Sequence, residues 1–366
     1  MVKYNNVTET EAKYKNVLVA RFSALSDVAM TVPVVYSVCR CNPNTRFILI
    51  TKSATQSLFV NKPDNLVVLG LDLKVKYHGI KGLVKLFNDL RKEYDIDAFA
   101  DLHNEFHSHV FKFLCRLHGI PFKCLNKGTA NKRALTRRHN KVMLPLISFR
   151  ARYREVFMAL GLPLEERFTS LYGKGRGDCE TFSEISSPKQ EGERWIGISP
   201  FAKYKGKIYP LELMEKVVAE ISQWKSTRVF LFGGGDNERR LLDDWVKKYS
   251  GITSLAQKQY GFPAELSLMS YLDVMVSMDS ANMHLASIVN VPVVSVWGAT
   301  HPYCGFKGWK QQEVNMVQLP MVCRPCAEFG DKPCYRGDYH CLAGIPPQMI
   351  LDKILTVLNI VTPDAR

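Results

Sequence analysis

The segment from Val276 to Pro302 concentrates the residue types that hold a phosphate. An apolar run at 273–278 leads into Asp279-Ser280-Ala281-Asn282-Met283-His284, and a second apolar run at 291–297 follows soon after. The pattern predicts a strand, a helix over 281–289 and another strand. Asp279 or Ser280 stands where an N-cap belongs. The first-turn N–H groups then point out beyond the carboxyl end of a strand, which makes an anion site. His284 lies one helical turn beyond Ser280 and shares that mouth. Small residues, backbone N–H groups and an imidazole in this order suit a diphosphate.

Other residues could do chemistry elsewhere. Asp27 follows an apolar run at 16–22 and opens a helical pattern. It is a helix-capping or first-turn carboxylate, a general base, or both. Asp101 and Glu105, after a neighbouring run, are the next candidates. Cys323, Cys326, Cys334 and Cys341 form C-x2-C-x7-C-x6-C in a segment made loop-rich by Gly330, Pro333 and Gly337. The leading pair has zinc-ligand spacing, and four thiolates could hold a structural zinc; the alternative is a set of reduced, partly buried thiols. Asp95 and Asp97 have the Asp-x-Asp spacing of a metal site but precede their strand, so they read as a turn. The run Gly233-Gly234-Gly235 lacks the Gly-x-Gly-x-x-Gly spacing and the Walker lysine.

These residues need elements to position them. Strands are expected at 16–22, 47–51, 66–69, 96–101 and 122–125, with helices at 27–40, 81–94, 106–117 and 149–160. The second half repeats the alternation: strand 195–199, helix 211–224, strand 228–232, helix 237–249, the strand–helix–strand unit above, and a last helix over 347–360. Such alternation means doubly wound, mostly parallel sheets. A polar stretch at 172–192 without periodicity reads as a linker.

With 366 residues the chain suits two domains of ordinary size. At 46% hydrophobic and 23% charged residues it has the balance of a globular protein. It has no run of about 18 uncharged apolar residues that would suggest a membrane span. Residues 1–16 lack an apolar signal core, so a cytoplasmic protein with thiols rather than disulfides is expected. Net charge is +14 and unevenly spread. Between Glu105 and Glu155 stand 12 Lys or Arg and no acid, densest from Lys127 to Lys141. This is a solvated loop or a basic face for an anionic partner: a phosphorylated glycolipid, an anionic membrane surface or nucleic acid. A nucleic-acid-binding protein with a four-cysteine zinc module is the non-enzyme alternative. It predicts aromatics among the basic residues, and 127–141 has none.

The chain resembles the bacterial heptosyltransferases of glycosyltransferase family 9. Their pattern Asp-Ser/Thr-Gly-x-x-His-Leu-Ala, then Val-Pro-Val-Val and Gly-x-Thr-x-Pro, is matched from Asp279 to Pro302, with Ala281 in place of the glycine. Arg21 to Asp27 resembles Arg-x-Ser-x-x-Gly-Asp, with Ser26 for the glycine, and Lys207 to Pro210 resembles Lys-x-Trp-Pro. The resemblance implies a GT-B fold of two Rossmann-like domains facing a cleft. An acceptor domain at 1–175, a linker at 176–192, a nucleotide-sugar domain at 193–345 and a terminal helix at 346–366 are expected. It implies inverting, metal-independent transfer of a heptose or related sugar from an ADP-sugar to a lipopolysaccharide core or lipid A-type acceptor; a transferase using another nucleotide sugar is the alternative. Asp27 would be the base, and Lys207, or Lys205 in a shifted register, the cation over the diphosphate. Ser199, Pro200, Asp279, Ser280, Ala281 and His284 would bind donor, with Glu238 on the ribose. Arg133, Arg137 and Arg138 would face the anionic acceptor at the inner-membrane surface, with no role for nucleic acid.

Overall fold

The computed structural model describes residues 12–73 and 75–359. Two compact units divide the chain: one holds the residues up to Ser23, Val34–Asn126 and Arg152–Phe168, the other Ala24–Pro33, Lys127–Ala151 and the chain from Thr169 onward. The division passes at Pro33, inside the helix Leu25–Cys41.

The first unit is built on β1 (Asn16–Ala20), β2 (Arg46–Lys52), β3 (Leu66–Leu71), β4 (Ala98–Asp101) and β5 (Phe122–Cys124), in the spatial order β3-β2-β1-β4-β5. Every pairing is parallel. The second unit carries β6 (Arg194–Ser199), β7 (Thr227–Leu231), β8 (Ile252–Ser254), β9 (Val274–Met278), β10 (Val293–Val296) and β11 (Met316–Val317). Their order, β11-β10-β9-β6-β7-β8, is again all parallel. Parallel sheets are covered on both faces, which is why β9 and β10 are buried at every residue and read as unbroken apolar runs. The core of this unit gathers Ile198, Val276 and Val296 from the sheet with Met214, Leu242, Ile350 and Ile354 from its helices. The order reverses between β6 and β9, paired from Ile196↔Val274 to Ser199↔Ser277. Ligands of such sheets sit outside the carboxyl ends at that reversal.

The expected alternation is present, with local differences. β4 begins at Ala98 rather than Ile96. The Asp97 carboxylate instead accepts from the Lys15 N–H at 2.7 Å, and Asp95 closes the preceding helix in the left-handed region. The Asp-x-Asp pair thus lies in the short irregular connection before β4. A helix, Thr129–Thr136, lies in the basic stretch expected as loop or face. Its single buried apolar residue, Leu135, gives no readable period. β8, β11 and the helix Phe262–Met269 were also not expected from the pattern; the strands have three and two residues, too short to register. The last helix is described as Pro347–Val357, and Ile360 and residues 1–11 lie outside the described residues. Among the described residues no helix is long and apolar enough to cross a membrane.

Candidate active site

A cavity of about 650 Å³ opens at the carboxyl ends of β6, β7, β8 and β9, and all its lining residues belong to the second unit. β9 delivers Asp279 and Ser280, and the helix Ala281–Ile288 starts there. Ser280 is the N-cap in extended backbone, but its side chain makes no capping bond and lies 3.2 Å from the Ser277 hydroxyl. The first turn therefore offers its N–H groups to the cavity, as an anion requires. Asn282 donates to the Ser199 hydroxyl at 2.7 Å, tying this helix to the end of β6 across the strand reversal. Ala281 lines the cavity where the family pattern has glycine.

Asp279 does not cap. Its carboxylate is buried and takes the Lys207 ammonium at 2.9 Å and the Thr300 hydroxyl at 2.8 Å. Lys207 reaches it from a single 3-10 turn, Lys205–Lys207, whose tight winding separates neighbouring lysines. The Lys205 ammonium goes the other way, 5.1 Å over the Tyr339 ring, and of the two lysines it is Lys207 that lines the cavity. His284 is buried, and its Nδ1 has no hydrogen-bond partner among the described residues. Burial, with Lys207 and Arg150 adding to it, lowers its pKa to about 4 against the opposite pull of Asp279 and Asp27. At neutral pH His284 is an uncharged imidazole, able to donate one N–H to an anion but carrying no charge.

Asp27 lines the same cavity. It sits in the first turn of Leu25–Cys41, and its Oδ2 accepts the Ala24 N–H at 3.0 Å. This is half of a capping box, so the capping role is real and coexists with exposure of the carboxylate to the cavity. Ser26 lines the cavity beside it. Beyond β7, Gly235 has φ +89°, a conformation that favours glycine, and begins the helix Asp236–Lys248. Glu238 in that first turn accepts the Gly234 N–H at 2.8 Å with one carboxylate oxygen, leaving the other for a ligand hydroxyl.

Pro200 is buried and outside the lining; Arg133, Arg137 and Arg138 are also outside it, exposed on or after the helix Thr129–Thr136. The basic stretch is instead joined to the cysteine-rich segment. Lys132 pairs with Glu328, the Lys141 ammonium donates to the Pro325 carbonyl, and the Arg138 guanidinium lies 4.6 Å over the Tyr335 ring. Cys323, Cys326, Cys334 and Cys341 line one small cavity of about 10 Å³, room for a single atom-sized guest. All four are unpaired thiols, and burial pushes the Cys341 thiol up to about 11. As placed, no three His, Cys, Asp or Glu side chains among the described residues are arranged to hold a metal, so ligation would require these thiols to turn inward.

The sequence reading passed over Lys203, Asn282, Phe306, Phe329 and Glu265 in the lining, and the hydroxyl of Thr300 behind Asp279. Thr300 lies in the quoted Gly-x-Thr-x-Pro turn, so a signal was present. Glu265 carries none, because a lone acid in a first turn looks like any other.

Comparison with known proteins shows the family and the fold. The family model of glycosyltransferase family 9 (heptosyltransferase) matches residues 83–334. A lipooligosaccharide heptosyltransferase 2 of Campylobacter jejuni subsp. jejuni serotype O:6 is 21% identical over 335 residues, covering 90% of this chain and 95% of its own. The E. coli heptosyltransferase WaaC, solved with ADP, superposes with TM-score 0.65 at 16% identity over 93% of this chain and 99% of its own. E. coli ADP-heptose lps heptosyltransferase II does so with TM-score 0.66 at 17% identity over 94% and 98%. These structures share the GT-B fold of two parallel-sheet α/β domains seen here.

Proposed function

The chain belongs to glycosyltransferase family 9, the heptosyltransferases, and from that premise we propose that it moves a heptose, with inversion, from an ADP-heptose to a lipopolysaccharide-core acceptor. The non-enzyme alternative falls with this membership. One observation supports the reading above all: a single cavity gathers the uncapped helix end at Ser280, the Lys207–Asp279 pair, His284 and Asp27. The relatives named above supply the ADP-heptose donor and the lipooligosaccharide-type acceptor by analogy.

In this reading the diphosphate lies on the first turn of Ala281–Ile288, with Lys207 and the His284 N–H beside it and Glu238 on the ribose. An acceptor hydroxyl attacks the anomeric carbon on the face opposite the diphosphate. As its oxygen bonds to carbon, its proton passes to the Asp27 carboxylate, and the anomeric carbon–oxygen bond to ADP breaks. Charge gathers on the departing diphosphate, where Lys207 and the helix N-terminus are already in place. Asp279 holds the Lys207 ammonium in position, and Asn282 fixes the helix end relative to β6.

The acceptor is anionic and lipid-borne, and the chain meets it at the cytoplasmic face of the inner membrane. Exposed Arg133, Arg137 and Arg138 are followed in the chain by the exposed apolar side chains Val142, Met143, Leu144 and Ile147, a combination suited to a bilayer surface. Reversing the three arginines to glutamate should abolish binding to anionic vesicles at low salt while leaving the thermal stabilisation by ADP unchanged. ADP should stabilise the protein more than UDP or GDP. Equal or greater stabilisation by UDP would move the donor to another nucleotide sugar, and retained vesicle binding would leave the basic face merely solvated.

The four cysteines are proposed to hold one structural zinc, which would brace the segment that carries Glu328 and Pro325 against the basic helix. Elemental analysis of protein purified without chelator should find about one zinc per chain. A metal-free sample that is folded and active would rule the site out.

A further inference from the structure

Glu265 has no task in the chemistry above. It stands in the first turn of Phe262–Met269 and lines the cavity, and its carboxyl has no hydrogen-bond or ion-pair partner among the described residues. The lining at the β8 end, formed by Phe232, Leu255 and Phe262, is apolar. An unpaired carboxyl in such a place is costly unless a ligand meets it.

Its position along the sheet indicates which part of a ligand that is. The diphosphate site follows β9, Gly234 and Glu238 follow β7, and Leu255 follows β8. From β9 to β8 the sheet runs through β6 and β7, three steps of about 4.8 Å, or roughly 14 Å. A nucleotide with its phosphates at β9 and its ribose at Glu238 therefore brings its base to the β8 end. We propose that Glu265 contacts the nucleobase there and selects adenine. The proposal rests on the nucleotide reading of the cavity given above.

The chemistry is complementary. An uncharged carboxyl offers one donor beside one acceptor. One edge of adenine presents the acceptor N7 beside the donor N6–H₂, whereas guanine presents two acceptors, N7 and O6, at the same edge. Burial alone pushes the Glu265 carboxyl up to about 7, so the uncharged form is well populated at neutral pH. The groups around it do not alter this. Arg176, Asp178, Cys179 and Glu180 come from the segment of the short helix Cys179–Phe182, and His284 from Ala281–Ile288, both packed on this helix. Lys258 and Tyr260 precede the helix, and Glu238 and Lys203 share the cavity. None of them contributes to the shift.

With a raised carboxyl pKa, the binding form is present below pH 7 and lost above it. Its fraction falls about tenfold between pH 6 and pH 8, and ADP affinity falls with it. Glu265→Gln keeps a neutral donor and acceptor at every pH. Glu265→Leu keeps neither.

Titration calorimetry with ADP, GDP and inorganic pyrophosphate at pH 6 and 8 tests the assignment. At pH 8 the Glu265→Gln protein should bind ADP about tenfold more tightly than wild type. At pH 6 the Glu265→Leu protein should bind ADP about 5–100-fold more weakly and lose its preference over GDP. Pyrophosphate affinity should be the same in all three, which a merely structural role for Glu265 would not give. Variants that bind ADP as wild type does at both pH values would overturn the assignment, as would pyrophosphate affinity falling in step with ADP. Wild-type protein that binds pyrophosphate but not ADP would instead overturn the ADP reading, and this one with it.

Discussion

Asp27→Asn should lower turnover by about 10²–10⁴-fold while the protein stays folded and binds ADP normally. The substitution separates the two roles that meet at this residue. The Asp27 side chain accepts the Ala24 N–H at 3.0 Å, and asparagine can accept the same bond with its amide oxygen, so the start of the helix is preserved. What asparagine cannot do is accept the acceptor hydroxyl's proton. A capping residue would thus cost little in rate, and a base would cost nearly everything that proton transfer contributes. Steady-state transfer to a core acceptor, with melting and ADP titration on the same preparation, decides between them. A folded, ADP-binding variant with near-native transfer would remove Asp27 as the base. The other acids considered are committed elsewhere. Asp101 accepts the N–H groups of His103 and Asn104 at 3.0 and 2.8 Å and stands 3.8 Å from the Lys112 ammonium, and Glu105 caps the helix Phe106–Leu117.

Lys207→Met should reduce both rate and stability, for different reasons that a second substitution can separate. The rate loss, about 10²–10³-fold, is the usual cost of removing one group that stabilises charge developing in a water-poor site. The stability loss arises because Asp279 is 3% exposed and keeps the Thr300 hydroxyl but loses its cation. Breaking one side of a buried pair costs about 3–5 kcal/mol, mostly for the charge left behind. Adding Asp279→Asn removes that charge. The double variant should regain most of the lost stability and none of the lost turnover. Recovery of turnover in the double variant would mean that Lys207 serves the fold and not the diphosphate. A single variant as stable as wild type would mean that Asp279 does not need its partner.

The sequence alone was enough wherever the functional groups come from one continuous strand–turn–helix. From Val274 to Ile288 the apolar run, the break at Asp279-Ser280 and the helical spacing to His284 fix the geometry by local backbone rules, and the structure places them together as expected. The alternation of strand and helix likewise required parallel sheets, because parallel neighbours need a crossover. The tertiary structure decided everything that depends on residues far apart in the chain. The sequence gives no reason for Asp279 to hold Lys207 rather than act as the N-cap, for Asn282 to reach Ser199, or for Thr300 to complete the carboxylate's bonds. These contacts depend on β9 lying beside β6, a strand order that alternation leaves open. The basic stretch shows the same limit. Its charges were visible, but not that Lys132 would be spent on Glu328, Lys141 on Pro325 and Arg138 on the Tyr335 ring. Local periodicity records which face of an element is buried, while the partner that a polar side chain finds depends on which elements the core has packed next to it.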